Sequence, residues 1–172
     1  MSELTESLTT WLAEHGIPEW LIPFFVSILP IIELRGGIIA ARILDMELWK
    51  AIWVCMIGNI LPIPFILLFI DKIFDFLKKH KVPLLTKVII FLENKAMNKS
   101  GSMEKGEFFF LLFFVGIPLP GTGAWTGSLI ASLRKIPLKK AVPAIFLGLC
   151  LASAIMCTLC YGFPEVFAKM FG

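Results

Sequence analysis

The chain has 172 residues, 58% of them apolar and 17% charged, with a mean hydropathy of +0.85 and a net charge of +3. That balance lies far outside soluble averages and bounds the chain to one domain, 1–172, of an integral membrane protein. It excludes a nucleic-acid partner, and no residue set resembles an enzyme's triad, a metal centre or a cofactor site; sixteen Phe and five Trp point the same way, since aromatic rings suit hydrocarbon and its interface.

Residues 2–15 predict a short amphipathic helix with Leu4, Leu8, Trp11 and Leu12 on one side, lying on the membrane surface. The first ten residues lack the basic start and cleavage site of a signal peptide, so the N-terminus is expected to be kept. The apolar run 20–44 is interrupted by Pro23, Pro30, Glu33, Arg35, Gly36 and Gly37. Its halves reach only about 12 to 17 Å at 1.5 Å per residue, near the bilayer midplane. A helix–break–helix that enters and returns is therefore expected. Residues 48–70 are long enough for one crossing, kinked at Pro62 and Pro64. The stretch 71–107 turns polar and basic, with a short interfacial helix expected at 82–92 and a loop after it. Residues 108–133 are again apolar but broken by Pro118, Pro120, Gly121, Gly123 and Gly127, and 139–163 make the second crossing.

The plan recurs because the sequence does. Shifting the chain by 90 residues sets Leu29-Pro30 on Leu119-Pro120, Gly37 on Gly127, Ala41 on Ala131, Leu48 on Leu138, Lys50-Ala51 on Lys140-Ala141 and Gly58 on Gly148. An ungapped repeat in an apolar chain is the mark of a transporter-like fold with its site where the copies meet. The copies span about 19–70 and 108–163, joined by the connector 71–107. If both breaks are re-entrant, twelve basic residues fall on one side and three on the other. Such a split fits the positive-inside tendency and makes an inverted repeat, with 71–107 cytoplasmic and both termini outside the cell (inner) membrane.

Chemistry concentrates at the breaks. The first carries Glu33, Arg35, Gly36 and Gly37 behind Pro30, where an ionisable pair at membrane depth is costly and marks a candidate site. Glu33 is a candidate proton carrier because desolvation disfavours a charged carboxyl, whereas Arg35 keeps its charge and offers a fork of donors to phosphate or carboxylate. The bland alternative is a structural pair. The second break, with Pro120, Gly121, Thr122, Gly123, Trp125, Thr126, Gly127 and Ser128, exposes amides and hydroxyls at a helix N-terminus, a candidate anion cradle facing Glu33 and Arg35. Close helix packing through small residues would use the same composition. Trp125 would wall the cavity or stack on a substrate. Asn59 would bond to a neighbour or line the cavity. Arg134, Lys135, Lys139 and Lys140 form a basic cluster suited to anionic lipid head groups. Cys157 and Cys160 make a C-x-x-C that serves as apolar filler in a packed helix.

The pattern Pro30-x-x-Glu33-x-Arg35-Gly36-Gly37, followed by Pro118-x-Pro120-Gly121-Thr122-Gly123-x-Trp125-Thr126-Gly127, resembles the small multidrug export family of prokaryotic membrane proteins, over about residues 17–161. It is distantly similar to the DedA superfamily, whose members have paired re-entrant hairpins and act in lipid translocation. That resemblance implies hairpin charges at Glu33 and Arg35 and a hairpin tip at Pro120-Gly121. A DedA protein commonly has an acid just after the tip, where this chain has Thr122.

The expected architecture is thus an all-α membrane protein: two re-entrant hairpins, each followed by a transmembrane helix, plus interfacial helices. The expected activity is proton- or ion-coupled transport of an anionic amphiphile such as a polyprenyl or other lipid phosphate. Arg35 and the second-break amides would bind the head group while Glu33 exchanges protons. Export of cationic hydrophobic drugs and a non-transporting scaffold are the alternatives. Membrane lipids are expected partners, and two spans with two hairpins make a thin wall, so a homodimer is expected.

Overall fold

A computed structural model describes residues 2–69, 106–119 and 121–163. The helix expected at 82–92, the loop after it and Pro120 lie outside these. The described residues form helices and turns without a strand: α1 (Ser2–Glu14), a 3-10 turn (Glu19–Leu21), α2 (Ile22–Ile28), α3 (Glu33–Ile43), α4 (Leu48–Ile60), α5 (63–69), α6 (Gly106–Gly116), α7 (Ala124–Leu133) and α8 (Leu138–Cys157), the last ending in a π-turn (Thr158–Gly162).

Two helical stretches, Leu48–Phe69 with 22 residues and Leu138–Gly162 with 25, are long and apolar enough to cross a bilayer. At 1.5 Å per residue they reach about 33 and 37 Å against a hydrocarbon core of about 30 Å. The first is α4 followed by α5, with a turn at Leu61 and Pro62, where a proline cannot donate the next helical bond. Pro143 sits within α8, which continues through it. In contrast, α2, α3, α6 and α7 have 7 to 11 residues, about 16 Å at most, and none spans alone.

The two long stretches run antiparallel. The Tyr161 hydroxyl at the end of the second donates to the Met46 carbonyl just before the first, at 3.0 Å. At the other end, residues 60–68 of the first line one groove with residues 138–149 of the second. Leu34, Ile38, Cys55, Leu111, Val115, Ile145 and Leu149 form the larger core between them. Two glycines let neighbours approach: a Cβ on Gly58 would lie 2.6 Å from the Phe24 carbonyl, and one on Gly148 would lie 2.8 Å from that of Leu112. These residues are 90 apart, as in the sequence repeat.

The repeat also fixes a turn. After α3, the Asp45 amide donates to the Arg42 carbonyl and the Met46 amide to that of Ala41; after α7, the Lys135 amide donates to the Ser132 carbonyl and the Ile136 amide to that of Ala131. Both are Schellman caps, with a left-handed residue at Asp45 (φ 49) and at Lys135 (φ 53). Ninety residues apart, one backbone solution launches each long helix.

The N-terminal helix forms where the sequence predicts it, and part of its apolar stripe also packs inward. Its Leu8 and Leu12 pack on a smaller core of Ile22, Val26, Ile32 and Ala40, with Thr5 and Thr9 buried, while Leu4 and Trp11 face outward. Thr9 is accommodated there because its hydroxyl bonds back to the Thr5 carbonyl at 2.7 Å. The helix is docked on α2 and α3 by part of its apolar stripe rather than held by all of it.

Candidate functional site

The first break is shorter than the sequence suggests. The chain leaves the helical path at residues 29–32 and α3 already begins at Glu33, so Gly36 and Gly37 are helical and buried. The reason is packing. A Cβ on Gly37 would overlap the Ser27 hydroxyl, and one on Gly36 would overlap Ile32, so both glycines are there for close approach inside a helix, not for unwinding. The second break runs from Ile117 to Gly123, with positive φ at Gly121 (79) and Gly123 (135).

The two breaks are tied to each other across more than eighty residues of sequence. Glu33, with φ 54 and 4% exposed, turns its carboxylate onto the start of α7: Oε2 accepts from the Ala124 amide at 3.1 Å and Oε1 from the Trp125 amide at 3.2 Å. A carboxylate is the natural partner for the free N–H groups and positive end of a helix. Left-handed φ at a non-glycine costs of order 1–3 kcal/mol. Two bonds to a charged acceptor, each worth about 1.5–3 kcal/mol, offset that cost.

Arg35, 6% exposed, reaches the same loop from the other side. One terminal nitrogen donates to the Leu119 carbonyl. The other donates to the Ile117 carbonyl at 3.3 Å, the Thr122 carbonyl at 2.9 Å and the Thr122 hydroxyl at 2.7 Å. One planar fork thereby gathers three carbonyls of the break, two of which, Ile117 and Leu119, also accept from the amides of Leu119 and Thr122 inside the loop. Trp125 completes the exchange, its indole N–H donating to the Ile28 carbonyl at 3.1 Å. Arg35 and Trp125 are repeat equivalents: Arg35 donates to main-chain carbonyls of the second break, and Trp125 to the carbonyl that ends α2 just before the first.

The residues expected to form an anion cradle are thus only partly brought together. The Trp125 amide, Thr122 and Gly123 meet Glu33 and Arg35, and it is the chain's own Glu33 that sits on the α7 amides. Gly127 and Ser128 lie further along α7: Gly127 packs on Val115, and the Ser128 hydroxyl bonds back to the Ala124 carbonyl at 2.6 Å. Thr126 is half-buried in the same helix, and Gly121 stands exposed at the tip. Sequence reasoning missed Ile28, Ile117, Leu119 and Ala124, which contribute only main-chain groups and leave no side-chain signal. Asn59 is fully buried with neither polar atom of its side chain partnered. Cys55, Cys157 and Cys160 are buried, and among the described residues no group of His, Cys, Asp and Glu is arranged to hold a metal.

Two antiparallel membrane-length helices, four half-length ones and two breaks bonded to each other, the first bordered by Glu33 and Arg35, define a helical membrane protein built around a polar junction. A family model described as "Putative small multi-drug export protein" matches residues 33–155, which begin at Glu33 just after the first break and take in Arg35, the second break, the whole first long helix and most of the second, and the chain belongs to that family. No curated protein and no solved structure matches it.

Proposed function

We propose that this chain exports small amphiphilic, drug-like compounds across a membrane, and that a proton exchanged at Glu33 works the junction between the breaks. The family's description supports the export of drugs, and the observation that carries the mechanism is the Glu33 carboxylate seated on the amides of Ala124 and Trp125. Ionised Glu33 favours the tied arrangement, because both bonds depend on its charge. A proton weakens both, so protonation favours separation of the breaks. A hydrophobic cation would compete with that proton for the released carboxylate, with aromatic side chains as walls. Arg35 does not cancel the acid, since its own charge is held by the carbonyls of Ile117, Leu119 and Thr122.

We further infer that both breaks are re-entrant and form an inverted repeat of 19–70 and 108–163 around the connector, with 71–107 cytoplasmic, in a homodimer. Half-length helices and antiparallel long ones support this arrangement, because breaks that crossed fully would leave the two long helices parallel.

The test is efflux of tetraphenylphosphonium from proteoliposomes under an imposed proton gradient. Glu33→Gln is expected to lose at least tenfold of the gradient-driven rate while remaining monodisperse; an unchanged rate would sink the proton role. One observation favours a second reading, transport of a lipid phosphate: the α7 amides already hold an anion. On that reading Glu33→Gln, by weakening the internal anion, raises affinity for a short-chain lipid phosphate, and Arg35→Ala abolishes it.

A further inference from the structure

Away from the junction, an apolar groove of about 180 Å³ opens between the end of the first long helix and the beginning of the second. Ile60, Ile63 and Leu67 wall one side, and Leu138, Val142 and Phe146 the other; every lining residue is apolar. Along α8 the lining runs from Leu138 to Leu149, about 16 Å at 1.5 Å per residue, or half of a 30 Å hydrocarbon core. A groove of that length accepts one lipid chain from a single leaflet.

Its mouth has a sign. Leu138 is flanked in sequence by Arg134, Lys135, Lys139 and Lys140, and no Asp or Glu occurs between Glu107 and Glu165. Lys135 and Lys139 are exposed, while Arg134 lies over the Phe110 ring with 5.9 Å to its centroid. The repeat supplies a control. The equivalent turn before α4 has the same backbone, yet carries Asp45 where the second has Lys135 and Glu47 where it has Pro137. There the bases are neutralised from within: Arg42 pairs with Asp45 at 2.7 Å and Lys50 with Glu47 at 3.0 Å. Positive charge is therefore no requirement of the turn, and it has accumulated only at the copy whose helix opens onto the groove.

We propose that this groove binds an anionic phospholipid of the leaflet facing the α7–α8 turn, its chain between α5 and α8 and its phosphate at Lys135 and Lys139. Apolar lining supplies the affinity, while the turn supplies selection for charge, worth about 1 kcal/mol per basic residue near a surface, roughly fivefold each. This site is separate from the Glu33 junction and does not depend on the exporter reading.

The experiment is retention of lipid by the purified protein. The detergent-solubilised chain is equilibrated with equal amounts of phosphatidylglycerol and phosphatidylcholine, then analysed by native mass spectrometry after detergent exchange. Wild type is expected to keep one phosphatidylglycerol at least tenfold over phosphatidylcholine. Lys135→Gln with Lys139→Gln should erase the preference, and Val142→Trp, which fills the groove, should erase retention of both. Equal retention of the two lipids by wild type, or undiminished phosphatidylglycerol on Val142→Trp, would overturn the proposal; if the latter came with loss of a dimer, the groove would belong to a second copy. Should Val142→Trp not fold, single-chain phosphatidylglycerols of increasing length decide on wild type alone. Retention should rise by up to about fourfold per methylene, the factor equivalent to roughly 0.8 kcal/mol, and level off once the chain reaches the midplane. Independence of chain length would overturn the proposal equally.

Discussion

At the scale of single residues, the junction turns on one pair, Glu33 and Gly123, which occupy equivalent positions in the two copies. A side chain can exist at only one of them, because a Cβ on Gly123 would overlap the Glu33 carboxylate. Gly123 also holds φ 135, which L side chains rarely adopt. Strain and overpacking each cost about 1–3 kcal/mol, so Gly123→Ala is expected to destabilise by roughly 3 kcal/mol in thermal melts in detergent. The two contributions can be separated. In a Glu33→Ala background the overlap is gone and only the backbone strain remains, so the cost of Gly123→Ala should fall by at least about 1 kcal/mol. Equal costs in both backgrounds would show that the carboxylate does not press on Gly123. The sequence discloses Glu33 and Arg35 because charges stand out in an apolar run. It does not disclose their partners, since carbonyls of Ile28, Ile117 and Leu119 belong to every residue type and become acceptors only where the helix is interrupted.

At the scale of elements, neither proline nor glycine marks the breaks by itself. Pro30, Gly121 and Gly123 lie within the interruptions, whereas Pro23 and Pro143 lie inside helices, and Gly36, Gly37 and Gly127 lie inside helices and serve close approach. Glycine density signals both unwinding and tight packing, and composition alone does not separate them. The ends of α3 and α7 were not legible either, because neither cap uses glycine at the left-handed position. That absence has a stability consequence. A non-glycine residue in this conformation costs roughly 1 kcal/mol, so Lys135→Gly is expected to raise stability by about that amount. Asp45→Gly relieves the same strain but removes the Arg42 pair, an exposed contact worth up to about 1 kcal/mol, and is expected to be nearly neutral. Thermal melts of both variants check this difference. A destabilised Lys135→Gly would mean that the lysine side chain, not the backbone, holds the second turn.

For the whole molecule, the lengths of the two crossings were legible from uninterrupted apolar runs, because the bilayer thickness sets them. The direction of one crossing relative to the other is a tertiary property, and it carries the topology. Antiparallel long helices put the turn before α4 and the turn before α8 at opposite ends of the molecule. If both breaks crossed the bilayer, each would reverse the side once more and those two turns would share a side. Single cysteines at Glu47 and Lys135, in a background with the four native cysteines replaced, distinguish the cases. A membrane-impermeant maleimide applied to intact cells is expected to label Glu47→Cys and to label Lys135→Cys only after permeabilisation. The expected assignment of sides follows from the basic character of 71–107 and of the α7–α8 turn, twelve basic residues against three, and this labelling tests it. Labelling of both positions in intact cells, or of neither, would mean that the breaks span, and the junction of Glu33 with α7 would then bridge two full crossings instead of two re-entrant tips.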